Sequence, residues 1–347
     1  MGADTKIEWT KGDDGTPEAT WNPVTGCTRV SEGCRNCYMA RVVPRHGQDP
    51  WTVVLHPDRL GIPLHWKKPR RIFVNSLSDL FHKDVPDGFI DMAFAVMAIA
   101  RRHTFQVLTK RPKRMLTYLS TLTFERLLDC ANHNSEGRDH GPGAYNFASI
   151  NALSTKARFI AGEKSAHWPM PHPPLPNVWL GISCENQATA DERIPLLLQT
   201  PSAMRFISAE PLLGPINLSL FQPFLARRSR GSLAALRGIA KALDWVIVGG
   251  ESGPHARPMH PDWARSLRNQ CQAASVPFFF KQWGEWAPFC VDALRTVPYL
   301  CIRKDGSPAV GVVTKEDPGK GMQRVGKHAA GRVLDGRTWD EMPKVPA

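Results

Sequence analysis

The chain has none of the marks of export or membrane insertion. No apolar run approaches the roughly 20 residues needed to cross a bilayer, and the opening segment MGADTKIEWTKGDD lacks an apolar signal core. Both absences point to a soluble cytoplasmic protein with no membrane partner. Cysteine is sparse, eight in 347 residues with three of them clustered, which excludes a secreted disulfide scaffold and suits a reducing compartment. There is no repeat of fixed period. Gly-x-Ser-x-Gly and His-Glu-x-x-His are missing, so hydrolase and protease readings have no support. Gly249-Gly250-Glu251-Ser252-Gly253 lacks the spacing of a phosphate-binding loop and reads as a tight, backbone-exposing turn. Acidic residues are outnumbered, 32 Asp+Glu against 44 Lys+Arg for a net charge of +12. That balance favours an acidic partner, nucleic acid first. Basic residues concentrate at 65–71, 101–114 and 227–241.

What is present is an alternation of two patterns. Short β-branched and aromatic runs at 71–76, 104–109, 177–183, 204–209, 244–249 and 276–281 predict strands. Segments 87–102, 112–131, 187–199 and 261–274 carry apolar residues at helical spacing. Such alternation implies right-handed crossovers and a parallel sheet, and strands apolar throughout imply a sheet covered on both faces. The fold class expected is α/β, a partial (β/α)6–7 barrel of TIM type with parallel strands, over residues 1–287. Residues 133–176, rich in His, Gly, Pro, Ser and Asn, read as a surface insertion or lid. Residues 288–347 lose the rhythm and read as an irregular, loosely packed appendage.

Each predicted strand runs into polar residues at its C-terminal end, the edge where parallel α/β folds bind ligands. The clusters contain Ser76, Ser78 and Asp79; Thr109, Lys110 and Arg111; Ser183 and Glu185; Glu210; Glu251; and Lys281 and Gln282. Thr109, Lys110, Arg111, Arg257, Lys281 and Gln282 are the candidates for donating to a phosphate or other acidic substrate, and Glu251 is a further substrate-site candidate.

The segment WNPVTGCTRVSEGCRNCYMAR gathers Cys27, Cys34 and Cys37 in a Cys-x6-Cys-x2-Cys array. Three thiolates without a fourth suit an iron–sulfur centre with one open position. Zinc would need a further ligand, for which His46 is near enough in sequence, and a disulfide plus one thiol is the remaining option. Cys130, Cys184, Cys271, Cys290 and Cys301 are dispersed and read as small buried apolar residues.

This array resembles the cluster loop of radical S-adenosylmethionine enzymes, in particular the branch containing spore photoproduct lyase. Asn22, Pro23, Gly26, Cys27, Cys34, Cys37, Tyr38 and Arg41 match its outline. The chain departs from it by three extra residues between the first two cysteines and by Met39-Ala40 after the tyrosine. More closely, the chain resembles the phage and bacterial three-cysteine-motif family, which has this wider spacing. The shared motifs are KIEWT, ATWNPVTGC, NSLSDLFH, LTKRP, WLGIS, EPLLGPI, VGGESGPHARPM and FFKQWG, covering about 6–287. Cys184 stands where that family commonly has Val.

The resemblance implies a [4Fe–4S] cluster on Cys27, Cys34 and Cys37, whose open iron takes S-adenosyl-L-methionine and yields a hydrogen-abstracting 5′-deoxyadenosyl radical. It further implies that Ser76, Ser78 and Asp79 hold the methionyl amine and that Ser183 and Glu185 contact the ribose, with Glu210 as a further cofactor residue. The partners implied are nucleic acid, DNA favoured, as the molecule repaired or modified, and an electron donor such as flavodoxin or ferredoxin. Two other functions fit the residues: a non-catalytic nucleic-acid-binding protein with structural zinc or iron–sulfur, and a radical enzyme acting on a peptide or small molecule.

Overall fold

The structure, a computed structural model, describes residues 5, 7–10, 17–127, 173–221, 243–288, 299–307 and 320–343. Seven strands form one sheet: β1 (Glu18–Trp21), β2 (Arg71–Val74), β3 (Thr104–Thr109), β4 (Val178–Ser183), β5 (Met204–Ala209), β6 (Trp245–Gly249) and β7 (Phe278–Gln282). Strand order in the sheet is chain order, β1 to β7. Parallel neighbours in sequence order, with helices in the connections, give the topology of a partial (β/α) barrel. The longer helices among the described residues are α1 (Asp87–Ile99), α2 (Pro112–Ser120), α3 (Gln187–Gln199) and α4 (Pro261–Ala274). A second, antiparallel sheet of β8 (Trp286–Pro288), β9 (Tyr299–Ile302) and β10 (Lys320–Arg324) has the order β8-β10-β9. Among the described residues no helix is long and apolar enough to cross a membrane.

The chain divides into two compact units that interleave along the sequence. One comprises Met1–Thr28, Met39–Gly181 and Gln199–Met204; the other comprises Arg29–Tyr38, Ile182–Leu198 and Arg205–Ala347. In the first unit β1 pairs with β2 from Glu18↔Arg71 to Trp21↔Val74, and β2 with β3 from Arg71↔Thr104 to Val74↔Val107. Trp21, Ile72, Val74, Phe105 and Val107 are wholly buried. The Trp21 ring meets Phe105 edge-on at 5.8 Å, and its Nε1 donates to the Arg59 carbonyl at 2.8 Å. This pairing places the ring in the core and gives its one polar atom a partner.

Helix α1 buries Phe89, Ile90 and every residue from Met92 to Ile99, as a helix inside a core must. Helix α2 opens on Pro112 and buries one stripe, Met115, Tyr118 and Leu119. It stops at Ser120, short of the predicted 131, because Thr123 Oγ1 accepts from the Arg126 amide and caps a new helical turn. His103 is buried beneath these elements as the neutral Nε2–H tautomer: Nδ1 accepts from the Arg70 amide at 3.1 Å and Nε2 donates to the Pro63 carbonyl at 2.9 Å. Burial pulls its pKa down to about 4.

In the second unit β5, β6 and β7 pair through Phe206↔Trp245 and Val246↔Phe278. Helix α4 has Pro261 in its first turn and an N-cap at His260, whose Nδ1 accepts from the Asp262 amide at 3.1 Å. β7 ends the strand order, so its outer edge needs cover. The C-terminal segment supplies it. Phe279 bridges antiparallel to Asp340, and the Phe280 amide donates to the Trp339 carbonyl at 2.8 Å. The Trp339 ring lies edge-on to Phe278 at 5.9 Å. Glu341 accepts from Trp245 Nε1 and from the Phe278 amide, both at 2.9 Å. Where described, then, the segment expected to be loosely packed contributes an antiparallel sheet and a strap over the sheet edge. Scattered polar, Gly and Pro residues concealed the few apolar anchors, Met322, Leu334 and Trp339, that fix it. Of the expected insertion at 133–176, residues 133–172 lie outside the described residues.

Candidate functional site

In the first unit the segment leading to Cys27 is bound to the end of β2. Asn22 Oδ1 accepts from Ser76 Oγ at 3.1 Å and from the Leu77 amide at 3.0 Å, while Ser78 Oγ donates to the Val24 carbonyl at 2.8 Å. The Gly26 amide donates to the Leu77 carbonyl at 3.1 Å. Gly26 has φ +79°, and a Cβ there would stand 1.9 Å from the Thr52 carbonyl oxygen, so no other residue fits. Asp79, 4% exposed, accepts four hydrogen bonds. Thr109 Oγ1 (2.7 Å) and the Phe81 amide (3.0 Å) bind Oδ1, and the Lys110 amide (3.0 Å) and Arg111 Nη1 (2.9 Å) bind Oδ2. Arg111 reaches onward: Nη1 lies 3.5 Å from Cys27 Sγ, and Nη2 donates to both the carbonyl and Oγ1 of Thr28 at 3.0 Å. Burial alone would lower the Arg111 pKa, but Asp79 and a Cys27 thiolate raise it. Thr28 Oγ1 also meets His82 Nε2 at 2.7 Å, and burial followed by the Arg111 charge lowers the His82 pKa.

In the second unit the segment Arg29–Tyr38, bearing Cys34 and Cys37, is held by residues that follow strand ends. After β4, buried Glu185 accepts from Ser31 Oγ at 2.9 Å and pairs with Arg193 Nη1 at 3.2 Å. A Cβ on Gly33 would come 2.4 Å from Glu185 Oε1, so glycine lets the loop lie against that carboxylate. After β6, Glu251 Oε2 accepts from Asn36 Nδ2 (3.0 Å), the Arg257 amide (2.8 Å) and Arg257 Nε (2.9 Å), and Oε1 accepts from Arg257 Nη2 at 2.6 Å. Burial pushes the Glu251 pKa up, but the hydrogen bonds from Arg257 and Asn36 outweigh it and hold it below the ordinary value. Arg257 Nη2 also donates to the Glu32 carbonyl at 2.9 Å. Within the loop the Cys34 amide donates to Ser31 O at 2.9 Å and the Cys37 amide to Cys34 O at 3.4 Å.

The remaining candidates fall in the same unit. Lys281 on β7 pairs with Glu210 after β5 at 2.6 Å. Gln282 Nε2 donates to the Gly250 carbonyl at 3.0 Å and to Ser252 Oγ at 3.1 Å, bracing the glycine turn. Ser183 closes β4, and its carbonyl accepts from Arg193 at 2.8 Å. The structure thus joins Asp79, Thr109, the Lys110 backbone and Arg111 beside Cys27. Separately it joins Glu185, Glu251 and Arg257 to the loop of Cys34 and Cys37. Sequence reasoning missed Thr28, Ser31, Glu32, Asn36 and His82, whose only signal was their position within the two long motifs around the cysteines and after β2.

Whether these residues suit an iron–sulfur cluster turns on donor chemistry. Cys27, Cys34 and Cys37 are half-buried and none is in a disulfide, and a guanidinium nitrogen lies beside the Cys27 sulfur. Among the buried side-chain atoms without a hydrogen-bond partner among the described residues are, after the C-terminal ends of strands, both amide atoms of Asn75, at φ +58°, and Glu210 Oε1; both amide atoms of Gln106 within β3 and Asn177 Oδ1 before β4 are others. Such orphans are ones a polar ligand would satisfy. In kind, the donors fit. Among the described residues no group of three or more His, Cys, Asp or Glu side chains is gathered as for a single metal ion. Cys184 and Cys271 are buried, as expected of apolar fillers, with burial pushing the Cys271 pKa up to about 12, whereas Cys301 is half-buried. Cys130 and Cys290 lie outside the described residues.

No curated protein and no solved structure matches the chain. A protein-family model described as "Protein of unknown function (DUF5131)" matches residues 4–343, and the chain belongs to that family.

Proposed function

We propose that this chain is a radical S-adenosylmethionine enzyme whose cluster is held by Cys27, Cys34 and Cys37 and whose substrate is nucleic acid. The observation that carries the reading is how the cysteine segment is anchored. In the first unit it is tied to Leu77, Ser78 and Arg111; in the second, to Glu185, Glu251 and Arg257. All six follow the C-terminal ends of parallel strands, the edge at which such folds work on their ligands. A bound [4Fe–4S] cluster with S-adenosyl-L-methionine would supply one-electron cleavage of the sulfonium and removal of hydrogen from an unactivated carbon.

The chain's own residues do the rest. Arg111 and Thr28 fix the Cys27 end, and Glu185 with Glu251–Arg257 fixes the turn carrying Cys34 and Cys37. Asn75 in the first unit and, separately, Glu210 Oε1 in the second keep buried polar atoms that a polar ligand would satisfy. The net charge of +12 draws an anionic polymer. A cytoplasmic one-electron donor of the flavodoxin or ferredoxin kind completes the requirement.

The test is metal analysis of anaerobically purified and reconstituted protein, followed by binding of duplex and single-stranded DNA and of RNA across a salt series. About four iron and four sulfide per chain are expected, with nucleic-acid affinity that falls as salt rises. One zinc and no sulfide would replace the proposal with a structural metal site.

A further inference from the structure

We propose that Arg111 is a positioning residue for Cys27, fixing its sulfur by hydrogen bonding and raising the reduction potential of the cluster bound there. The inference rests on the cluster reading above and concerns a residue that sequence reasoning assigned to substrate.

The geometry leaves the guanidinium little freedom. Arg111 directly follows β3 and precedes α2, and its own amide donates to Thr109 Oγ1 at 2.8 Å. Its two terminal nitrogens serve four acceptors: Asp79 Oδ2, Cys27 Sγ, and the carbonyl and Oγ1 of Thr28. Asp79 in turn is saturated by Thr109 and by the backbone amides of Phe81 and Lys110. The Arg111 side chain is only 13% exposed, so water screens its charge weakly. The Cys27 amide donates to the Pro50 carbonyl at 3.0 Å, which fixes the backbone that carries the thiol, and Sγ lies 3.5 Å from the Thr28 carbonyl.

A substrate anion would have to displace Asp79, Thr28 and Cys27 to reach this fork, which argues against a substrate role. A permanent cation donating N–H to a ligand sulfur stabilises the more negative, reduced cluster, because hydrogen bonds to sulfur and local charge set the potential. Lysine cannot reproduce the fork, since it offers a point charge without paired donors.

The experiment compares wild type, Arg111→Gln and Arg111→Lys after anaerobic reconstitution. Iron and sulfide are counted first, and the midpoint potential is then read by optical redox titration. The expected result is a potential shifted more negative in Arg111→Gln, with a smaller shift in the same direction in Arg111→Lys. Should the Gln variant fail to load, the Lys variant alone decides. Loaded variants with the wild-type potential would overturn the inference while leaving the cluster intact. A wild-type chain that takes up no iron or sulfide would overturn the cluster reading, and this inference with it.

Discussion

Removing the Arg257 side chain should release the loop that carries Cys34 and Cys37. Arg257→Ala deletes two hydrogen bonds to Glu251, at 2.9 and 2.6 Å, and two to Glu32, to its carbonyl at 2.9 Å and to Oε2 at 3.2 Å. Glu251 is 5% exposed and keeps only Asn36 Nδ2 and the residue 257 amide as donors. Breaking a buried pair by removing one partner costs about 3–5 kcal/mol. The two surviving donors and the 26% exposure of Arg257 bring this to about 2–3 kcal/mol. At about 1.36 kcal/mol per factor of ten, local opening of residues 29–38 rises roughly 30- to 160-fold. The assay is amide hydrogen exchange of the metal-free protein at neutral pH, followed at Cys34, Arg35 and Cys37, whose amides are bonded within the turn. Arg257→Lys should fall between wild type and Ala. Acid gives a second reading. The folded pKa of Glu251 is depressed, so its contribution is fully present above the ordinary value of 4.5 and is lost as pH falls through the folded value. Exchange in 29–38 that is unchanged in Arg257→Ala, alongside a lower global unfolding midpoint, would refute the loop role.

Three further outcomes follow from the same structure. Gly26→Ala combines a left-handed φ of +79° with a Cβ 1.9 Å from Thr52 O; a loss of about 3 kcal/mol is expected by urea unfolding, and a wild-type midpoint would contradict it. The His103 pKa is lowered from 6.5 to about 4 in the fold, so the unfolded chain takes up the proton first as pH drops. Stability is whole above about pH 6.5 and declines by roughly 3 kcal/mol on the way to pH 4, a slope that thermal melts should find flattened in His103→Gln. Trp339→Ala strips the strap over β7 of its anchor, with a loss of about 3–5 kcal/mol expected by urea unfolding; a change under about 1 kcal/mol would mean the strap does not support the sheet.

Much of the sheet was legible because buried parallel strands are apolar throughout and end in polar residues. The runs at 104–109 and 204–209 coincide with β3 and β5, and the segments 187–199 and 261–274 with α3 and α4. β1 escaped notice. Its four residues, EATW, alternate half-buried and buried, and the motif that follows overshadowed them. The strap escaped because its support is pairing between residues some sixty positions apart, such as Phe279 with Asp340. The same limit applies at the candidate site. Residue types at strand ends marked Asp79, Arg111, Glu185, Glu251 and Arg257 as polar groups of consequence, but not their partners. Asn36 meets Glu251 across 215 positions and Ser31 meets Glu185 across 154, and no local pattern encodes such contacts. Several residues expected to face a ligand also hold the cysteine segment.

The central claim is that three thiolates leave one iron open for S-adenosyl-L-methionine. It is tested most directly by reducing the anaerobically reconstituted protein with dithionite in the presence of S-adenosyl-L-methionine and assaying 5′-deoxyadenosine. The account predicts its formation by the wild-type chain and its loss, together with the iron and sulfide, in Cys34→Ala. Equal formation by Cys34→Ala, or none by a wild-type chain that carries zinc alone, would contradict it.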